Sequence, residues 1–203
     1  MSYKALIFDI GNVVIRIDFR RIFASWARSL SLDPDRVERS FAFDDRSIAY
    51  EKGLIGTETY RAHAASLLGV SFADGVFETG WNSIYAGAVP GVGDLLRSLR
   101  GRYRLVALTN TNAAHAPVWL ERYRGVLAPF ERIFLSFEIG ARKPEPAAYE
   151  TVLEYLRADA ADVAFLDDFL ENVRAAEDLG MTGIHVYPGA DLSAALETAG
   201  VVI

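Results

Sequence analysis

The chain contains no cysteine. That removes disulfide bridges, thiolate nucleophiles and cysteine-bound zinc together, so any metal has to be held by oxygen or imidazole. No apolar stretch approaches the length of a membrane span, and the run between Lys4 and Asp9 is too short for a signal-peptide core. A cytoplasmic protein with no membrane partner is therefore expected. Surplus positive charge is missing too: 21 Lys and Arg stand against 27 Asp and Glu, a net charge of −6 without a basic stripe. This argues against a nucleic-acid partner, while a small anionic ligand in a locally positive pocket stays open. Internal repeats and low-complexity segments are absent, and nothing in the sequence fixes the oligomeric state.

What is present suits one sizeable core with a small satellite domain, since 51% of the 203 residues are hydrophobic and 24% are charged. Short continuous apolar runs recur, as they do in parallel strands covered on both faces. Ala5-Leu6-Ile7-Phe8 delivers Asp9, Leu105-Val106-Ala107-Leu108 delivers Thr109-Asn110, and Val163-Ala164-Phe165-Leu166 delivers Asp167-Asp168. A Lys-Pro pair, Lys143-Pro144, follows a further strand at 132–136, and a last strand lies around 183–187. Helical patterns fall between these runs, near 92–99, 149–156 and 170–179. Such βαβ repetition predicts an α/β fold with a doubly wound parallel sheet, whose ligands collect outside the carboxyl ends of the strands.

Residues 17–88 differ in character, with no comparable buried-strand run. Phe19, Ile22, Phe23, Trp26 and Leu30 recur at helical spacing, Asp33-Pro34 opens a second helix as cap and first-turn proline, and Thr57 opens a third. The expected organisation is a core of 1–16 and 89–203 with an all-helical cap, 17–88, inserted after the first strand and hinged over the sheet-end cleft. Phe19, Trp26, Phe41, Phe43, Phe72, Phe77 and Trp81 are expected to form the core of that helical block.

The strand ends assemble a particular chemistry. Asp167 and Asp168, with Asp9 and a backbone carbonyl near Gly11, can hold a hard divalent cation such as Mg²⁺. Thr109 and the amides of Asn110 and Thr111 can hold a phosphoryl oxygen, and Lys143 offers a positive charge. This set suits phosphoryl transfer through an aspartyl-phosphate. Each residue also has a plainer reading: Asp9 as a solvated strand end, Asp167-Asp168 as a helix-capping pair, Lys143-Pro144 as a helix entrance and Thr109 as a turn residue.

Taken in order, Phe8-Asp9-Ile10-Gly11-Asn12-Val13-Val14, Leu108-Thr109-Asn110-Thr111-Asn112, Arg142-Lys143-Pro144-Glu145 and Phe165-Leu166-Asp167-Asp168 with Asn172 resemble the haloacid dehalogenase-like hydrolase superfamily. The resemblance covers nearly the whole chain, and the 17–88 block looks like a helical C1-type cap on a Rossmann-like core. The wording of the motifs is most similar to bacterial alpha-D-glucose-1-phosphate phosphatases. By that resemblance Asp9 is the nucleophile, Thr109 and Asn110 bind phosphate, Lys143 bridges phosphate and nucleophile, and Asp9 and Asp168 ligate Mg²⁺ with Asp167 assisting. The implied function is a Mg²⁺-dependent phosphatase for a small phosphorylated metabolite, a sugar phosphate such as a sugar-1-phosphate.

One position departs from the pattern. Phosphatases of this superfamily usually carry a second Asp two residues after the nucleophile, as general acid and then base, and here that position is Gly11. Loss of a positioned acid typically costs about 10²–10⁴-fold in rate unless the leaving group departs without help or another group substitutes. An anomeric sugar oxygen or an aryl oxygen is such a leaving group. Asn12, Asp18, Glu51 and His115 are the candidate substitutes, with Asp18 also readable as a helix cap, and Arg46, Glu51, Lys52 and Trp81 are candidate specificity residues. Two rival functions remain: a haloacid dehalogenase, which needs no metal and leaves the acid pair unexplained, and a non-catalytic phosphate-ligand-binding module, for which Gly11 is the best argument.

Overall fold

The computed structural model describes residues 3–187 and 189–203. Residues 1, 2 and 188, which fall within the expected core segments, lie outside the described residues. The chain begins with β1 (Ala5–Phe8), all of it inaccessible to solvent. It then turns into a short strand, β2 (Ile15–Ile17), and enters the helical block.

Capping chemistry sets the helix starts there. Asp18 accepts the Arg20 amide to open α1 (Phe19–Leu30), which turns Ile22, Phe23, Trp26 and Ala27 inward at helical spacing. Asp33 caps α2 (Pro34–Ser40), whose first residue is the expected proline. A capping box between Asp44 and Ser47 opens α3 (Asp45–Glu51), and α4 (Thr57–Leu68) follows. The last helix of the block, α5 (Val76–Trp81), runs through a 3₁₀ turn into β3 (Tyr85–Ala88). Fully buried Trp26 centres this block, with Phe77 5.6 Å and Trp81 5.8 Å away in stacked geometry and Phe41 and Phe72 tilted beside it. Gly80 lets the indole approach this closely: a Cβ there would lie 2.2 Å from Trp26 Cδ1.

Two expectations for the block need correction. It is not all-helical, because β3 pairs antiparallel with β2, Ile15 opposite Ala88 and Ile17 opposite Tyr85. The strand escapes periodicity because it is four residues long, contains Gly87 at φ +113° and finds its partner about 70 residues earlier. Phe19 and Phe43 are not core residues either: they are 45% and 54% exposed at the mouth of the cleft described below.

From there helix and strand alternate. The chain runs through α6 (Val92–Leu99), β4 (Arg104–Thr109), α7 (Ala116–Arg122), α8 (Arg124–Leu127), β5 (Arg132–Leu135) and α9 (Ser136–Ile139). It continues through α10 (Pro146–Leu156), β6 (Val163–Asp167), α11 (Leu170–Asp178), β7 (Thr182–His185) and α12 (Leu192–Thr198). The described residues form a parallel five-stranded sheet in the order β5-β4-β1-β6-β7. Successive side chains point to opposite faces. Leu6 and Phe8 therefore join one buried cluster with α6, α7 and α12, while Ala5 and Ile7 join another with Tyr149, Val152 and Leu156 of α10. Each fully buried Leu, Ile or Val side chain among these contributes about 1.5–3 kcal/mol. Among the described residues no helix is long and apolar enough to cross a membrane.

The winding fixes where the site lies. After β1 the chain builds outward through β4 and β5, then crosses back to lay β6 on the other side of β1. The carboxyl end of β1 is thus the switch point of the sheet, where loops diverge and leave a crevice.

Candidate active site

The register sets which side chains meet in that crevice. Phe8 is level with Ala107 of β4 and Leu166 of β6, so Asp9 and Asp167 emerge side by side and Thr109 ends the neighbouring strand. The loop after α9 brings in Lys143, which is 1% exposed. Its Nζ donates to Asp9 Oδ1 at 2.7 Å and to Asp167 Oδ2 at 2.5 Å. Asn110 sets the position of this lysine: its Oδ1 accepts the Lys143 amide and its Nδ2 donates to the Lys143 carbonyl, both at 2.9 Å.

Asp167 is wholly buried and also accepts from the Phe169 amide and from Asn172 Nδ2. Asn172 therefore anchors Asp167, and Tyr149 donates to the Asn172 carbonyl behind it. Asp168 accepts from Asn12 Nδ2 at 3.0 Å, while Asn12 Oδ1 takes the Ile17 amide. Carboxylate oxygens of Asp9, Asp167 and Asp168 all lie within 4.8 Å of one another.

The electrostatics of this group are unbalanced. Burial is the main cause that raises the Asp9 and Asp168 carboxyls above the usual range, with Asp167 adding to both and Lys143 opposing. Burial works against the Lys143 ammonium as well, but Asp167 and Asp9 override it and its pKa rises. Three acids face one ammonium, so their negative charge exceeds what Lys143 can compensate, and with burial this makes Asp9 and Asp168 hold their protons more tightly. A hard divalent cation with oxygen ligands fits both that deficit and the donor set.

Beside the acids, the Thr109 hydroxyl makes no hydrogen bond among the described residues and faces an apolar pocket. The Thr111 amide does not do what the sequence suggested: it donates to Ser136 Oγ at 2.9 Å and is already used. The Asn110 side chain is likewise committed to Lys143, which leaves only its backbone for a ligand. The pocket floor is Gly11, Thr109 and Asn110; Phe19, Phe41, Phe43, Tyr50, Trp81 and Tyr85 wall it, with Ser47, Glu51 and His115 as polar points. A Cβ at Gly11 would stand 3.6 Å from Asp9 Oδ2 and 3.1 Å from Ile17 Cδ1, so the position where the sequence resemblance leads one to expect a second Asp borders the Asp9 carboxylate and offers no donor.

The four candidate substitutes separate cleanly. Asn12 is an amide spent on Asp168, and Asp18 is the α1 cap. His115 is buried, which pushes its imidazole down to about 3, so it carries no proton to spare at neutral pH. Glu51 is the carboxyl that reaches the pocket; burial raises it although Arg142 Nε donates to its Oε2 at 2.8 Å. Of the specificity candidates Trp81 and Glu51 line the pocket, whereas Lys52 pairs with Glu145 at 2.9 Å and Arg46 is exposed. The Arg142–Glu51 and Lys52–Glu145 pairs, which tie α3 to the loop carrying Lys143, went unread in the sequence because they join charges about 90 residues apart.

Buried neutral His115 has a consequence for stability. Its pKa falls from 6.5 to about 3 on folding, so between those values the unfolded chain binds more protons and the native state loses stability as pH falls. His115→Gln is expected to shrink the drop in melting temperature between pH 7 and pH 4. Equal drops in both proteins would show that His115 is protonated without cost.

The model of the haloacid dehalogenase-like hydrolase family matches residues 3–180, and the chain belongs to that family. Its fold matches a haloacid dehalogenase family enzyme from Bacteroides thetaiotaomicron, solved with magnesium and inorganic phosphate, with a TM-score of 0.83, 30% identity and coverage of 95% of this chain and 98% of that one. The chain is also 21% identical to a D-ribitol-5-phosphate phosphatase from the same species, over 93% of this chain and 94% of the relative. A phosphatase from Mycobacterium tuberculosis is 24% identical over 89% of this chain and 86% of its own length.

Proposed function

We propose that the chain is a Mg²⁺-dependent phosphomonoester hydrolase that works through an aspartyl-phosphate on Asp9. The observation that carries this reading is the buried Lys143 ammonium shared by Asp9 and Asp167, which together with Asp168 form an acid trio that one ammonium does not neutralise. The relatives named as phosphatases, and the magnesium and phosphate held by the similar enzyme, support it.

Asp9, Asp167 and Asp168 would hold Mg²⁺, which when bound supplies charge neutralisation for the nucleophile and the phosphoryl oxygens. Lys143 occupies Asp9 Oδ1, which leaves Oδ2 to attack phosphorus. The new Oδ2–P bond forms as the bond from phosphorus to the ester oxygen breaks, and the electron pair leaves on that oxygen, which takes its proton from solvent water. Lys143 and the Thr109 hydroxyl draw charge from the phosphoryl oxygens as they flatten. Water then attacks phosphorus, its oxygen staying on phosphorus and its protons going to the phosphate oxygens or to solvent, while the Oδ2–P bond breaks with its electron pair on Oδ2, so that the Asp9 carboxylate is restored as inorganic phosphate departs.

The substrate we assign is a small phosphorylated metabolite, a sugar phosphate such as a sugar-1-phosphate. Gly11 supports this choice, because an anomeric oxygen leaves more readily than an ordinary alkoxide when no acid stands two residues after the nucleophile. Phosphate release from glucose-1-phosphate and glucose-6-phosphate, each with Mg²⁺ and with chelator, tests it. The expected outcome is metal-dependent turnover that favours the anomeric ester. Ligand binding without turnover would instead support a phosphate-binding module, and activity that survives chelation would support dehalogenase-type chemistry.

A further inference from the structure

We infer that His115 is a hydroxyl-reading residue of the substrate pocket, accepting a hydrogen bond at Nε2, so that the preferred substrate is a phosphate ester whose alcohol part bears a further hydroxyl beside a carbon face. The inference deepens the phosphatase reading and rests on it.

The tautomer is fixed by a chain of contacts. Asn82 Nδ2 donates to the Glu78 carbonyl at 3.1 Å, which turns its Oδ1 toward His115. Asn82 Oδ1 lies 3.1 Å from His115 Nδ1 and has no proton to give, so Nδ1 carries the hydrogen. In the neutral ring that burial enforces, Nε2 then bears a lone pair.

The ring cannot turn that lone pair away. It stacks on Trp81 at 4.7 Å with the planes 6° apart, and the edge of Tyr85 closes on it at 5.6 Å. Trp81 is itself held, its Nε1 donating to Asn112 Oδ1 at 3.3 Å. His115 is 8% exposed and lines the pocket, and no group among the described residues donates to Nε2. Nor is Nε2 sealed off: among the described residues the buried side-chain nitrogen left without a partner is His185 Nδ1, not His115 Nε2. Its partner therefore has to come through the pocket.

The walls say what else that partner carries. Phe41, Trp81 and Tyr85 present aromatic surface, which suits the carbon face of a ring, and with no cation at hand His115 accepts from a neutral donor. A ligand lacking the hydroxyl would bury Nε2 unpaired, which is how a polar site rejects an analogue.

The test compares kcat/KM on glucose-1-phosphate with kcat/KM on p-nitrophenyl phosphate, which has no further hydroxyl, in wild type, His115→Phe and His115→Gln. Phe keeps the stacked ring without the acceptor, and Gln restores an acceptor oxygen. The ratio of the two specificity constants is expected to fall about 10–100-fold in His115→Phe and to recover in part in His115→Gln. A ratio in His115→Phe within about twofold of wild type, whatever the absolute rates, overturns the inference, because a purely structural role lowers both substrates together. If wild type releases phosphate from neither ester, the phosphatase reading fails separately. The same ratio is then read from dissociation constants for the two esters, and absence of binding to either also overturns the role of His115.

Discussion

Asp9→Asn is expected to reduce Mg²⁺-dependent phosphate release by more than about 10⁴-fold, in keeping with the loss of an attacking group rather than a binding contact. The amide keeps the shape of the carboxylate and cannot form the phosphorus bond. It also removes one negative charge from a buried site where burial and Asp167 already disfavour that charge. The metal-free variant should therefore melt no lower than wild type. Paired assays of turnover and of melting in chelator separate chemistry from folding. Turnover within about tenfold of wild type would show that another group attacks phosphorus.

Lys143→Met should produce the largest loss of stability. It leaves Asp9 and the fully buried Asp167 without their shared cation, and breaking a buried pair from one side costs about 3–5 kcal/mol. For a chain of this length that corresponds to a fall in melting temperature of roughly 10 °C. The Arg104–Glu131 pair gives the contrast: both groups are partly exposed, and removing it costs less than about 1 kcal/mol. Because Lys143 compensates the same acids as the metal, added Mg²⁺ should raise the melting temperature of Lys143→Met, while turnover stays lost. An unchanged melting temperature in chelator would show that the acids stay protonated in the fold and need no counter-ion.

Much of this arrangement is legible in the sequence, for a physical reason. Parallel strands covered on both faces read as continuous apolar runs, so Asp9, Thr109 and Asp167 announced themselves as polar residues at strand ends. Asp33-Pro34 and Asp18 carried their capping roles in their own sequence neighbourhoods. Contacts decided by the winding were silent. That Lys143 lies between Asp9 and Asp167 depends on β6 crossing back beside β1, and that Asn110, Asn172 and Asn82 are clamps depends on partners far along the chain or around a turn.

Phe19 misled for a related reason: it keeps helical spacing with Ile22 and Trp26, but it sits in the first turn of α1, where that face opens onto the cleft. The Thr111 amide misled because Ser136, at the start of α9, reaches it first. Composition does not separate a core phenylalanine from one that walls a pocket, or a free amide from a bonded one; only the neighbours decide.

Trapping the intermediate tests the central claim most directly. Wild-type protein turning over a phosphate ester with Mg²⁺ is quenched and treated with borohydride, which reduces an aspartyl-phosphate to homoserine, and peptide mass spectrometry locates the change. The account predicts homoserine at position 9 only when ester and Mg²⁺ are both present. Sustained phosphate release with position 9 unmodified, or modified at no greater level than in chelator, would contradict it.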